Sequence, residues 1–265
     1  MQLKSVFLLL FLALIIPRCA ISQTDLDYVY RSERLFTPYI ATNGYGISFT
    51  FLNKQKVSRY FFYRVGLGEL KHRKEIKGLN PRYPNQQRFI YGKSHHAYPV
   101  EAMIGKHRKV ILKNNSKAIG IRYYYGAGIN FALVKPAYYR IELVYAQDSS
   151  VTITEEFDPE FHNVNNIKNR ASWLKGVSEM TVSPGFSLEL GGLVDFSQRK
   201  NRIHGVGVGV KTSFYIISPE ILATKHIQYL YTGFRLYYIW GKIKSNTKGV
   251  DSKNTHRGWG LLKKY

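Results

Sequence analysis

The chain has 265 residues, with 39 Lys and Arg against 17 Asp and Glu, a formal charge of +22, 45% hydrophobic and 15% aromatic residues, and a single Cys. A chain this apolar is not disordered, and one Cys cannot build a disulfide scaffold. No Cys/His cluster has the spacing of a structural zinc site. The length allows one large domain or two small ones, and the basic balance suggests a nucleic acid or an anionic surface as partner.

The first segment discriminates between those partners. Lys4 supplies a positive start, residues 6 to 16 form an aliphatic run, and Ala20-Ile21-Ser22 puts small residues at a cleavage site. This is the pattern of a cleaved secretory signal peptide over 1 to 22. The run is too short for the roughly 20 residues of a spanning helix. Arg18 stands where a lipoprotein signal wants a small residue before Cys19. Cleavage removes the Cys together with Lys4 and Arg18, which lowers the formal charge from +22 by two, to +20. An exported protein of this kind is not expected to meet nucleic acid.

Beyond an N-terminal segment at 23 to 43, expected to be periplasmic, the period is two rather than 3.6. Strands are expected at 44 to 52, 59 to 70, 95 to 106, 119 to 133, 138 to 145, 185 to 196, 204 to 215 and 229 to 242. In the sixth, Phe186, Leu188, Leu190, Val194 and Phe196 alternate with Ser187, Glu189, Gly191 and Asp195; Val206, Val208 and Val210 alternate with Gly205, Gly207, Gly209 and Lys211 in the seventh. Several strands approach the roughly 9 to 11 residues that cross a bilayer at a tilt, and aromatics gather near their ends. The fold class expected is all-β: an antiparallel up-and-down transmembrane β-barrel of about eight strands over 44 to 242, ten being possible with 151 to 154. The alternative is a secreted soluble barrel or sandwich. A Gly-rich polar face with isolated charges of both signs suits a crowded lumen better than a solvated surface.

Facing inward, the polar set delivers Arg64, Arg122, Arg140, Lys211 and Arg235 together with Glu101, Glu142, Glu189 and Asp195. Near-cancelling charges in a narrow bore imply a network of ion pairs. An eight-stranded barrel is just wide enough for side chains to fill, so no pore is expected.

With even strand number and both termini periplasmic, loops 53 to 58, 107 to 117, 147 to 183 and 217 to 228 face outward and 71 to 94, 134 to 137 and 197 to 203 face inward. The long basic segment 71 to 94 fits poorly with short periplasmic turns. Loop 147 to 183 is expected to carry one short helix: Asp158 caps, Pro159 opens, and Phe161, Val164, Ile167, Ala171 and Leu174 recur at helical spacing before Gly176. Lys106, Arg108, Lys109, Lys113 and Lys117 form a cluster expected to meet the phosphates of lipopolysaccharide. A basic tail at 243 to 265 ends the chain.

Short segments carry a family resemblance. Phe89-Ile90-Tyr91-Gly92-Lys93, Lys135-Pro136-Ala137-Tyr138-Tyr139, Lys175-Gly176 and Ser183-Pro184-Gly185 resemble the small outer-membrane β-barrel proteins of Bacteroidota. The resemblance implies location and fold, and no activity to carry over residue by residue.

The enzyme-like signals are weak. Gly205-Val-Gly-Val-Gly209 lies inside a β-alternating run and lacks the context of a nucleotide loop. Ser94, His95, His96 and Glu101 contain the types needed for lipid hydrolysis, but His96 and Glu101 belong to opposite strand faces. The acidic run 155 to 160 lacks the spacing of a calcium loop, and His72, His95, His96 and His107 are scattered, so neither a metal nor a cofactor is expected. The function expected is a structural or accessory outer-membrane barrel in the cell envelope, within a larger complex, its partners being outer-membrane lipid including lipopolysaccharide and other envelope proteins. A lipid-modifying barrel hydrolase and a secreted small-ligand binder are the alternatives.

Overall fold

The computed structural model describes residues 30–246 apart from 57, 84, 86, 114–117, 147–148, 200 and 224–226. The leader expected at 1 to 22 and the tail from 247 onward lie outside the described residues. Eight long strands close into one antiparallel barrel: β1 (Tyr30–Ala41), β2 (Gly44–Lys54), β3 (Arg59–Leu70), β6 (His95–Ile111), β7 (Gly120–Pro136), β11 (Thr181–Asp195), β12 (Arg202–Tyr215) and β13 (Leu230–Asn246). Each pairs with its predecessor among these eight, and β1 closes on β13, with Tyr30 opposite Asn246 and Ala41 opposite Arg235.

The strand count agrees with the expectation, but the membership differs in two places. Tyr30–Ala41, expected to precede the barrel as a periplasmic segment, is one of its strands. Its inward face carries Glu33, Leu35, Thr37 and Tyr39 and its outward face Arg34, Phe36, Pro38 and Ile40. Charge and apolar groups occur on both faces, so the period-two signal is blurred. In exchange, 138 to 145 leaves the wall. As β8 (Tyr138–Ala146) it is the middle strand of a separate sheet with β9 (Ser149–Glu156) and β10 (Ile167–Arg170).

These two changes reassign the loops. Both ends of the barrel-forming chain, Tyr30 and Asn246, lie at one end, where the connections 55–58, 112–119 and 196–201 are short. The tight turn at 42–43 and the long connections 71–94, 137–180 and 216–229 lie at the other. Adding β1 moves 53 to 58, 71 to 94, 107 to 117 and 134 to 137 to the end opposite the one expected. Removing β8 restores the parity, so the later loops keep the expected side. The basic segment 71 to 94 thereby joins the long connections, and its conflict with short turns disappears.

The three long connections form a cap. The hairpin β4 (Lys77–Gly78) and β5 (Phe89–Ile90) lies against the β8–β9–β10 sheet, and Phe89, Ala137, Tyr139, Ile141, Phe157 and Ile167 make a core outside the barrel. Asn80 Nδ2 donates to the carbonyls of Ile167 at 2.7 Å and Asn165 at 3.1 Å. The third connection joins through Ser94 N to Ile221 O at 3.1 Å and Ala223 N to Gly92 O at 2.7 Å. The helix expected after Asp158 does not form. Asn163 Oδ1 accepts from the amide of Asn165, and Asn166 Oδ1 from that of Asn163, both at 2.9 Å, which ties the segment into turns. Asn side chains compete with helix in this way. Ile167 then pairs with Ile141 as a strand, and the segment's helical content is the single 3-10 turn Val177–Glu179.

Outside, the wall is apolar. Ile40 is 70% exposed, Leu190 60% and Phe234 69%, with Phe49, Val65, Ile104, Ile129, Leu188, Val208 and Leu236 exposed beside them. No helix among the described residues is long and apolar enough to cross a membrane, a criterion that says nothing of strands.

Candidate functional site: the lumen and its cap

The lumen is built from the alternate face of every barrel strand, and it sorts into two ion-pair groups separated by aromatic and aliphatic side chains. The group nearer the cap joins Arg64 of β3, Glu101 of β6, Glu189 of β11, Lys211 of β12 and Arg235 of β13. Arg64 Nη1 lies 2.9 Å from Glu189 Oε1, and Arg235 Nη1 lies 3.1 Å from Glu189 Oε2 and 3.5 Å from Glu101 Oε1. Lys211 meets the other Glu101 oxygen, and the Tyr124 hydroxyl donates to Glu189. All five charged side chains are buried.

The second group lies toward the terminus-bearing end. Arg122 bridges Glu33 and Asp195, the latter at 3.1 Å, while Lys109 Nζ reaches Glu33 at 3.2 Å and Lys113 Nζ reaches Asp195 at 2.8 Å. Lys109 also donates to the Tyr60 hydroxyl at 2.7 Å, and Lys113 to the Ser197 carbonyl at 2.8 Å. Between the groups pack Leu35, Leu52, Phe62, Met103, Tyr124, Leu193, Tyr237 and Ile239. His107 stacks on Tyr124 with ring centroids 4.9 Å apart and meets Phe62 edge-on; both its ring nitrogens are buried without a hydrogen-bond partner.

Glycines make room for these rings. A Cβ at Gly207 would sit 2.2 Å from the Tyr237 ring, and one at Gly191 would sit 2.6 Å from that of Tyr124. The run Gly205-Val-Gly-Val-Gly209 is thus the small-residue half of a large-to-small fit inside the barrel. The internal cavities bordered by Arg64, Tyr124 and Glu189, and by Lys211, Tyr215 and Arg235, hold about 10 and 30 Å3. The first is the size of about one water position.

Seven of the nine residues expected in the lumen network lie there: Arg64, Glu101, Arg122, Glu189, Asp195, Lys211 and Arg235. Arg140 and Glu142 do not, because β8 belongs to the cap sheet, where Arg140 is exposed and Glu142 half-buried. Glu33, Lys109 and Lys113 are members that the sequence reading did not assign to the network. The expected lipopolysaccharide-facing cluster is divided. Lys109 and Lys113 turn inward to carboxylates, Lys106 and Arg108 are exposed on the outer wall, and Lys117 lies outside the described residues. All four described members belong to the terminus-bearing end, the consequence of counting β1 in the barrel.

In the cap, Tyr139 donates from its hydroxyl to Ile90 O at 2.8 Å, and burial pushes its phenol pKa up. Lys93 Nζ pairs with Glu75 at 3.1 Å. His95 Nδ1 faces the Glu220 carbonyl at 2.9 Å and His96 Nδ1 lies 3.9 Å from Glu69. Neither ring is hydrogen-bonded to Ser94, and Glu101 is inside the lumen, so these residues are not brought together for nucleophilic chemistry. No cluster of metal-ligating side chains occurs among the described residues.

Neither protein-family models nor curated protein sequences match the chain. Among solved structures it is similar to Neisserial surface protein A, 8% identical with a TM-score of 0.35, over 82% of this chain and 96% of that one. It is also similar to Ail, the attachment invasion locus protein of Yersinia pestis, at 6% identity and 0.35 over 81% and 97%. A third is the outer membrane protein OprG from Pseudomonas aeruginosa, at 10% and 0.34 over 82% and 96%. The assignment of this chain as a closed eight-stranded barrel rests on its own strand pairing.

Proposed function

We propose that the protein is an outer-membrane β-barrel with a side-chain-filled lumen and a structural or accessory role in the cell envelope, as part of a larger complex. The observation that carries this reading is the inversion of polarity: carboxylates and guanidinium groups lie inside the barrel, and a continuous apolar wall faces out. Soluble proteins rarely leave contiguous apolar patches beyond a few hundred Å2 exposed, and a lipid-spanning barrel requires one. The secreted-barrel alternative would need the opposite arrangement, and the two lumen cavities, of about 10 and 30 Å3, are far below the size of an ordinary ligand site.

On this reading the terminus-bearing end is periplasmic and the cap is outside, because short turns belong to the periplasmic side of such barrels. The cations available to lipopolysaccharide are then those of the cap. Arg82 and Arg88 are exposed, and Lys168 and Arg170 lie beside them, tied by Lys168 Nζ over the Tyr83 ring at 5.3 Å and Arg170 Nε to Gln87 at 3.2 Å. The hydrogen-bonded cap is the surface this reading assigns to envelope proteins.

Fractionation and gel migration test the proposal. The full protein is expected in the outer-membrane fraction, migrating faster unheated than boiled in mild detergent. Recovery in the soluble periplasmic or extracellular fraction would reject the membrane reading. Stoichiometric co-purification of another envelope protein is the expected sign of the complex.

A further inference from the structure

The outer wall is not evenly filled. Across β3, β6, β7, β11 and β12 it sinks into an open trough of about 570 Å3, bordered by Phe61, Ile104, Tyr125, Leu188, Leu190 and Val210, with Gly105, Gly126 and Ala127 at its floor. Behind the floor, the Phe62 ring fills the space that a side chain at Gly105 or Gly126 would need. Those two glycines are kept bare on the lumen side, and the depression on the outside lies over Ala127, a small outward residue among the larger Ile104, Tyr125, Leu188 and Leu190.

Lys106 borders this trough on the side toward the terminus-bearing end. Beside it, Arg59 of β3 stands directly opposite Arg108 of β6, and Phe61 opposite Lys106. All three cations are exposed on the outer wall, and none is in an ion pair with an acid among the described residues. Like charges directly opposite on adjacent strands are destabilising unless something neutralises them. The barrel carboxylates of this end, Glu33 and Asp195, point into the lumen and are used there. The same end repeats the pattern elsewhere on its rim, where exposed Arg34 and Arg202 both stand opposite exposed Lys242.

The geometry points to a binding site for one anionic phospholipid of the periplasmic leaflet, an acyl chain lying in the trough and the phosphate held by Arg59, Lys106 and Arg108. This rests on the outer-membrane reading and adds to it a ligand and a leaflet. An acyl chain fills the apolar depression over Ala127. The phosphate supplies the negative charge missing from this part of the wall. Arg108 is steadied by the Tyr123 hydroxyl at 3.3 Å, and Tyr123 and Tyr125 give the amphipathic surroundings of a headgroup level.

Native mass spectrometry of the full protein, folded in zwitterionic detergent, tests the site with phosphatidylglycerol, phosphatidylcholine and lipid A as probes. Wild type is expected to retain phosphatidylglycerol about tenfold better than phosphatidylcholine, in keeping with the pull of clustered Lys and Arg on anionic lipid. The triple variant Arg59→Gln, Lys106→Gln, Arg108→Gln should lose that preference. Ala127→Phe, which fills the trough, should weaken retention and leave the headgroup preference in place. Equal retention of the two phospholipids by wild type, or an unchanged preference in the triple variant, overturns the site, as does a triple variant that loses lipid A alone. Heat-modifiable migration verifies the fold of each variant. Insertion of wild type into phosphatidylcholine vesicles separates the two readings: insertion without phosphatidylglycerol preference sinks the lipid site alone, and failure to insert sinks both.

Discussion

Glu33 and Arg122 meet across the full bore of the barrel. Their strands, β1 and β7, are four places apart in the ring of eight, on opposite walls, and the pair is buried. Arg122 also holds Asp195, and Glu33 also holds Lys109. A contact between opposite walls is incompatible with an open channel at that level. Replacing Glu33 by Ala takes from Arg122 one of its two carboxylates and breaks the Lys109–Glu33 pair in a closed interior. The expected loss is on the order of 3 to 5 kcal/mol of folding stability, read as an earlier urea midpoint in detergent. A midpoint equal to wild type would mean that this end of the lumen is well hydrated.

Glu189 and Arg140 offer a paired comparison. Glu189→Ala removes the carboxylate of Arg64 and the nearer of the two carboxylates of Arg235 and should cost about 3 to 5 kcal/mol. Arg140→Ala changes an exposed side chain of the cap and should stay within about 0.5 kcal/mol. The same urea titration reads both, and comparable losses would place β8 back in the barrel wall.

Leu190 is 60% exposed on the outer wall beside Leu188 and Val208. Leu190→Arg is expected to cost about 2 to 4 kcal/mol of insertion free energy if the site lies near mid-bilayer. Folding yield into lipid vesicles measures it. A wild-type yield would show that this wall is not in contact with lipid.

Sidedness is open to chemical labelling. Among all 265 residues the one Cys is Cys19, in the expected leader, so a thiol placed at Arg73→Cys in the cap or Gln55→Cys in a short turn is the single reactive site of the cleaved chain. Intact cells should label the first with a membrane-impermeant maleimide and spare the second. The reverse pattern would invert the barrel.

Planar bilayers address the bore. Wild type should give no steady conductance, since the Glu33–Arg122 contact crosses the bore and the two lumen cavities bordered by Arg64 and by Lys211 hold about 10 and 30 Å3. Stepwise ion-conducting events from a pure preparation would show a continuous water path.

The faces of the strands were legible because a period of two is a local property. The placement of Leu190 outside and Glu189 inside needs nothing beyond neighbouring residues. Which strands belong to which sheet was not local. Tyr139, Ile141 and Leu143 alternate as cleanly as any wall strand, yet β8 covers the cap core. Conversely β1 hides its alternation, because Arg34 faces out and Leu35 faces in. That strand took Glu33 out of view and with it half of the second ion-pair group. The spacing of Phe161, Val164 and Ile167 fits a helix, but the side chains of Asn163 and Asn166 close turns first, and propensity yields to local hydrogen bonds.

The seam between β1 and β13 joins the first and last strands of the barrel. Tyr30 pairs with Asn246, so the wall cannot close until nearly the whole described chain has been delivered. Until then the two terminal strands present unpaired edges, ready to pair with any other strand. Closing that seam also brings Glu33 to Arg122, which otherwise has Asp195 of the neighbouring β11 as its carboxylate partner. Sealing the cylinder thus also delivers the second carboxylate to Arg122, and a chain stalled before the final strand would keep an adhesive edge and a guanidinium with one acid in place of two.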